Sequence, residues 1–282
     1  MSGEIAHVSD TAFWVASFRA LESERPDAVF RDPLARVLVG EKGDEIAKSL
    51  GGARMMAFIM VVRTSAIDRL ISMAIERGVD TVLNLGAGLD TRPYRMQLPA
   101  SLRWVEADFP SVIELKNDKL RAEQPVCALE RVAVDLADRA ARRALLARVA
   151  RSGRSVLVIT EGVINYLSDE EAGRLAEDVH AEPTLEYWIQ DYYSAEARRH
   201  RPSWRRKMQA APFLFSAPDW FGFFAKFGFH ALESIGIGAQ AKRIRRGPPW
   251  PWSALVRLMP KSWLERADDN LGYVLLKRGE HS

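Results

Sequence analysis

The chain is poor in the residues that staple or metal-hold a fold: it has one cysteine, Cys127, and five histidines in 282 residues. A single thiol excludes an internal disulfide and suits a reducing cytoplasm, and with scattered histidines it leaves no zinc cluster, so no metal is expected. Neither sign of charge is in excess. Forty basic and 37 acidic residues give a formal net charge of +3, a balance that does not indicate a nucleic-acid partner. No apolar run approaches the roughly twenty residues that cross a bilayer, so no transmembrane segment is expected. The opening MSGEIAHVSDTAFW has no basic region leading into an apolar core, so no signal peptide is read and a cytoplasmic location is expected. Apolar residues, by contrast, make up 48% of the chain. At this length that is enough for one large α/β domain with an attached helical layer.

The most informative absence is a missing glycine. An apolar run, Thr81-Val82-Leu83, leads into Asn84 to Arg92, NLGAGLDTR, and a second largely apolar run, Leu102 to Val105, ends in Glu106 and Asp108. Strand, glycine turn, connecting helix and a second strand ending in carboxylates is how a parallel sheet holds a nucleoside. The glycines let the backbone approach, and an acid takes the ribose hydroxyls. By spacing, either Glu106 or Asp108 fits that role. The dinucleotide fingerprint needs a third glycine for close approach to a pyrophosphate, and here Thr91 stands in its place. Asp90 and the bulky Leu89 also suit a pyrophosphate badly. An acid in the loop suits a cationic ligand, and S-adenosylmethionine has an ammonium, a sulfonium and a ribose diol but no phosphate. Residue chemistry therefore favours it over NAD, with Gly86, Ala87, Gly88 and Asp90 as the loop that holds it.

Around this loop the pattern alternates. Residues 10 to 76 read as helices, the first capped by Ser9 or Asp10 and the segment broken at Pro26 and Pro33, with Asp32 as a turn or cap. Met55 to Glu76 is one long helix with Val62, Ala66, Leu70 and Ala74 on one face. Strands are expected from Asp80, at Arg103 to Asp108, Leu129 to Val134, Ser155 to Thr160, Leu185 to Tyr192, near His230 to Ser234, and at Leu271 to Lys277. The VLVIT run of the fourth suits burial on both faces. Seven strands alternating with helices predict a class I methyltransferase sheet, Rossmann-like, with the last strand antiparallel. We expect a single domain: an N-terminal helical segment (1–78), a cofactor-binding core (79–193), lid insertions and strand six (194–270), and a closing strand and tail (271–282). The insertions, Ser194 to Asp219 and Gly236 to Asn270, are basic and rich in aromatics, and read as lids over an acceptor pocket. Trp250, Trp252 and Trp263 could build that apolar pocket or touch a membrane surface, and the pocket is the favoured expectation.

NLGAGLDTRPYR, WVEADFPSVIELK, ITEGVINYL (Ile159 to Leu167) and FRALESERPDAVFRDPLA (Phe18 to Ala35) together resemble the leucine carboxyl methyltransferase family. The likeness is to the bacterial branch linked to O-methylation in polyketide and other secondary metabolism. They span most of residues 10 to 170 in the family's order, while the last hundred residues match loosely. The resemblance implies S-adenosylmethionine as cofactor. It places Arg63 on the carboxylate of the cofactor's methionine part, a bidentate guanidinium–carboxylate pair, and Asp108 on the ribose. Asp135, ending strand three, can accept from the adenine amino group while Leu136 packs on the ring. Glu161, ending strand four, can face the ammonium or the methyl-transfer site. Tyr166 resembles the family's tyrosine near the acceptor. Arg19 is a further candidate cationic contact. His200 and His230 lie outside the matched motifs and read as structural.

The activity this implies is methyl transfer to a carboxylate or hydroxyl of a small specialised metabolite, free or carrier-bound, with Glu161 and Tyr166 at the reacting centre. A carboxylate is already a nucleophile and needs alignment, whereas a hydroxyl usually needs a positioned base. Methylation of a protein or peptide C-terminus, and a non-catalytic cofactor-binding module, are the alternatives. The oligomeric state is not readable.

Overall fold

A computed structural model describes residues 8–40, 54–194, 213–260, 268 and 270–279. Seven strands form one sheet in the order β3-β2-β1-β4-β5-β7-β6. They are β1 (Thr81–Leu85), β2 (Arg103–Asp108), β3 (Ala128–Ala133), β4 (Val156–Thr160), β5 (Leu185–Tyr193), β6 (Phe229–Gly236) and β7 (Leu271–Arg278). The first five pair in parallel, and β7 runs antiparallel to both β5 and β6. This is the class I methyltransferase sheet, and its strands begin and end within about two residues of the sequence expectation.

Alternation explains why the sheet is a middle layer. Along β4, Val156 and Val158 join one buried cluster, while Leu157 and Ile159 join the other. Successive side chains point to opposite faces, so an unbroken apolar run needs cover on both. One face is covered by α3 (Arg54–Glu76), with Val62, Ala66, Leu70 and Ala74 in its cluster. The other is covered by α6 (Arg139–Ser152), α7 (Asp169–His180) and the short helix Trp220–Ala225. Asp138 caps α6, accepting from the amides of Ala140 and Ala141, and a reciprocal Ser168–Glu171 capping box starts α7.

The N-terminal layer is helical. Helix α1 (Val8–Ser23) begins ahead of Ser9 and Asp10, so neither is its cap. A second helix, α2 (residues 33–40), opens at Pro33, with Asp32 Oδ1 accepting from the Ala35 amide at 3.1 Å. Ala16, Leu38 and Val39 from these two helices pack on Leu89 of the glycine loop and on Leu120. The short α4 (Arg92–Arg95) follows that loop, and α5 (Pro110–Lys119) follows β2. The N-terminal segment is thereby seated directly on the loop at the end of β1.

Candidate active site

The carboxyl ends of β1, β2 and β4 open onto a cavity of about 370 Å³, within the roughly 300–1,000 Å³ typical of small-molecule sites. Gly86 leaves β1 at φ +69°, and a β-carbon there would lie 2.6 Å from Val163 Cγ2. Only glycine lets the loop turn this close beneath the segment after β4. The amides of Gly86 and Ala87 donate to the Ala107 carbonyl at 2.8 and 3.2 Å, which ties the loop to β2. Gly88 lies against Ala12 of α1.

Asp108 ends β2 inside the cavity. Its two oxygens accept from the amides of Gly88, at 2.6 Å, and Phe109, at 2.7 Å. Burial pushes its carboxyl above the ordinary range, against the pull of those amides. A carboxylate offers about four acceptor positions, so capacity remains for a diol. Glu106 sits two residues back on the same face of β2, but it does not line the cavity. It is wholly buried, with Lys116 Nζ at 2.7 Å and Arg131 Nε at 3.0 Å. The ribose reading of Glu106 is therefore corrected: its charge is neutralised within the fold.

Arg63 projects from α3 into the cavity. Its Nε lies 2.9 Å from Glu161 Oε1 without hydrogen-bond alignment. Its guanidinium rests on Gly162, where φ is +69° and a β-carbon would come within 2.7 Å of Nη2. Burial opposes its charge, but Glu161 and Asp191 overcome that and hold it firmly protonated. The second oxygen of Glu161 accepts from Arg92 Nη1 at 2.7 Å. Burial works against the Glu161 charge too, yet Arg92 and Arg63 keep its carboxyl below the ordinary range.

Arg92 is the hub that sequence reasoning missed. Its guanidinium also meets Asp90 Oδ2 at 3.0 Å and Asp68 Oδ1 at 2.7 Å. Asp90 lines the cavity, but it accepts from Asn84 Nδ2 at 2.8 Å and from the Arg92 amide at 3.0 Å. Arg92 and Arg19 hold its carboxyl well below the usual range despite burial. Asp90, expected to suit a cationic ligand, faces the cavity with its charge already paired to Arg92, two residues away. Arg19 is likewise engaged, with Asp32 at 2.8 Å and with the Leu89 carbonyl.

Asp135 and Leu136 line the far end of the cavity. Asp135 is exposed and accepts from the Ala137 amide at 2.9 Å. Tyr166 closes a short 3₁₀ turn (Ile164–Tyr166) on the opposite wall, hydrogen-bonded to Thr11 of α1, with the Phe213 ring 5.2 Å away. Burial pushes its phenol up to about 12. The turn is held from beneath by Asp191 of β5. Its carboxylate accepts from the Gly162 amide at 2.7 Å and from Asn165 Nδ2 at 3.2 Å. Asp191 carried no signal in the sequence, since a strand acid reads as solvent-facing until its neighbours are known.

The cover over the cavity differs from expectation. Thr11, Ala12, Val15 and Arg19 of α1 line it, whereas no described residue of the two insertions does. Trp250 and Trp252 are exposed, so they do not form the acceptor pocket. Trp263, His200, Trp204 and the basic run 198–207 lie outside the described residues. His230 is exposed on β6, away from the cavity.

The cradle fits the amino-acid nucleoside that the loop suggests. Gly86 leaves room for close approach, Asp108 has acceptor capacity for a diol, and Arg63 has a buried donor aligned with no acceptor. Comparison with known proteins agrees. A Streptomyces coelicolor protein described as an S-adenosyl-L-methionine-dependent methyltransferase is 38% identical over 191 residues, 60% of this chain and 65% of its own length. A Parafrankia protein of the same description is 40% identical over 184 residues, covering 62% of this chain and 59% of its own length. The chain thus spans less than two thirds of the length of these relatives. Among solved structures, a DUF574 family protein from Streptomyces avermitilis superposes with a TM-score of 0.58 at 19% identity, covering 94% of this chain and 97% of its own. A Thermobifida fusca protein described as a methyltransferase gives 0.57 at 14% identity, covering 94% of each chain. These two share the fold. Residues 12–180 match the leucine carboxyl methyltransferase profile, a stretch that takes in α1 from Ala12 onward, the glycine loop, Asp108, Glu161 and Tyr166, and the chain belongs to that family, whose cofactor is S-adenosyl-L-methionine.

Proposed function

We propose that this protein is an S-adenosyl-L-methionine-dependent O-methyltransferase acting on the carboxylate, or an acidic hydroxyl, of a small specialised metabolite in the cytoplasm. One observation carries the choice of acceptor: no described side chain lining the cavity is a histidine, and the two groups expected at the reacting centre, Glu161 and Tyr166, are not suited to take a proton. Glu161 is clamped by Arg63 and Arg92, and the Tyr166 phenol keeps its own proton to about 12. This favours an acceptor that arrives already ionised, as a carboxylate does at neutral pH.

When bound, S-adenosyl-L-methionine supplies a methyl group that its sulfonium has already activated. Asp108 would hold the ribose diol, Asp135 and Leu136 the adenine, and Arg63 the amino-acid carboxylate, with Glu161 beside it for the ammonium. Tyr166 and Thr11 would orient the acceptor oxygen toward that methyl group. The products are a methyl ester or ether and S-adenosylhomocysteine. The fold's contribution is alignment and exclusion of water beneath α1. The seating of α1 against Gly88 and Leu89 favours a small acceptor over a protein C-terminus, which would need an open groove.

The test is methyl transfer from labelled cofactor to a panel of carboxylic acids, phenols and alcohols, with a pH–rate profile for each active acceptor. Turnover of acids, with no protein group titrating near neutrality, is the expected result. A rate that rises through neutrality independently of the acceptor's own pKa would reveal a protein base and refute the reading. Cofactor binding without any turnover would favour a non-catalytic module.

A further inference from the structure

The insertion between β6 and β7 presents a surface that the cofactor cavity does not use. From Gly236 to Pro260 the sequence carries five basic residues and no acidic one. Lys242, Arg243 and Arg245, at the end of the short helix Ile237–Arg243 and just beyond it, are exposed. Arg246 turns inward to Glu22 and Asp27. Beyond it, the helix Trp252–Leu258 faces outward with its apolar side. Trp252, Leu255 and Leu258 recur at three-residue steps and are 50%, 45% and 83% exposed, and Trp250 just before them is 77% exposed. Residues three apart share a helix face, so these side chains form a stripe and not isolated exposures. An outward apolar stripe of this kind marks a contact site.

Its chemistry selects the occupant. Tryptophan beside leucine suits the boundary between headgroups and acyl chains, and a neighbouring cationic cluster suits an anionic surface. A protein partner of mixed charge would meet acids as well as bases in a segment of this length, and this one has none. We propose that the segment 242–259 docks the protein onto an anionic phospholipid surface. No helix among the described residues is long and apolar enough to cross a membrane, so the contact is peripheral. The segment leaves the sheet at Gly236, which pairs with Gly272 beside the Tyr193–Leu271 end of β5. That is the carboxyl edge onto which the cofactor cavity also opens, so docking would bring the enzyme to membrane-partitioned acceptors. The inference does not depend on which acceptor is methylated.

The experiment is flotation of the full-length protein with vesicles of phosphatidylcholine alone and of equal parts phosphatidylcholine and phosphatidylglycerol. Binding to the anionic vesicles only, weakened by salt, is expected. The Lys242→Ala, Arg243→Ala, Arg245→Ala triple variant should bind on the order of a hundredfold more weakly, at roughly fivefold per charge. The Trp250→Ala, Trp252→Ala variant should lose binding while keeping its affinity for S-adenosylhomocysteine, which shows that it is folded. Failure to float with anionic vesicles, or equal binding to neutral ones, overturns the proposal. So does a wild-type dimer in sedimentation that the tryptophan variant converts to monomer, because the stripe would then be an interface between two copies of the chain.

Discussion

Arg92→Met removes the cation that three carboxylates share, Asp90 buried and Asp68 and Glu161 partly so, and keeps most of the side chain's bulk. In the native protein this guanidinium lies 2.7 Å from Asp68, 3.0 Å from Asp90 and 2.7 Å from Glu161. Asp68 retains Arg95 at 2.7 Å and Glu161 retains Arg63, whereas Asp90 loses its ion-pair partner and keeps Arg19, Lys116 and Arg95 only as more distant cations. Removing one partner of a buried ion pair costs about 3–5 kcal/mol, because a charge is left uncompensated. We expect the upper part of that range, lowering the melting temperature by on the order of 10 °C in a chain of this size. Urea denaturation followed by circular dichroism should show a lower midpoint at constant slope. The pH dependence is a second, independent signature. Asp68, Asp90 and Glu161 have depressed carboxyls in the native fold. Their stabilisation is therefore present above the ordinary carboxylate pKa, about 4, and lost only as pH falls below it through the depressed values. Without Arg92 the Asp90 carboxyl should be depressed less, so the variant should lose less stability than the wild type as pH falls below about 4. A loss below about 1 kcal/mol, with no such change of slope, would refute the account of Arg92 as the electrostatic hub.

Asp108→Ala should reduce affinity for S-adenosylhomocysteine by about 1.5–3 kcal/mol per charge-assisted bond lost; unchanged affinity in calorimetry would leave the ribose unassigned, since Glu106 is closed off. Arg63→Leu should weaken S-adenosylmethionine and S-adenosylhomocysteine alike but hardly affect adenosine, which has no carboxylate; equal losses for all three would make the arginine a fold residue. Tyr166→Phe should lower turnover while the cofactor Kd stays constant, and unchanged turnover would reduce the tyrosine to pocket wall. Asp191→Leu should cost about 2–3 kcal/mol or more, by leaving the Gly162 amide and Asn165 without their acceptor, and should impair cofactor binding in the folded fraction; normal binding would show that the turn after β4 holds itself.

The layout of the sheet was readable because burial writes itself into the chain at short range. The VLVIT run of β4, the 3.6-residue periodicity from Val62 to Ala74 and the glycines at the end of β1 each act through neighbours within a turn or a pleat. The acid at the end of β2 was readable only as a pair. Glu106 and Asp108 share a face, and only the position of Lys116 on α5 and Arg131 on β3 closes one and leaves the other open. The pairing of Asp90 was hidden for the same reason: a formal charge in sequence says nothing of the guanidinium folded back upon it. The tryptophans of the second insertion looked like pocket walls and stand exposed, while α1, whose composition suggested only a helix, supplies the cover. Sequence alone determined the strands, the glycine loop and the family. The tertiary structure decided which charges are left to meet a ligand, because electrostatic pairing joins residues as distant in sequence as Arg92 and Glu161, 69 positions apart, and no local pattern encodes that distance.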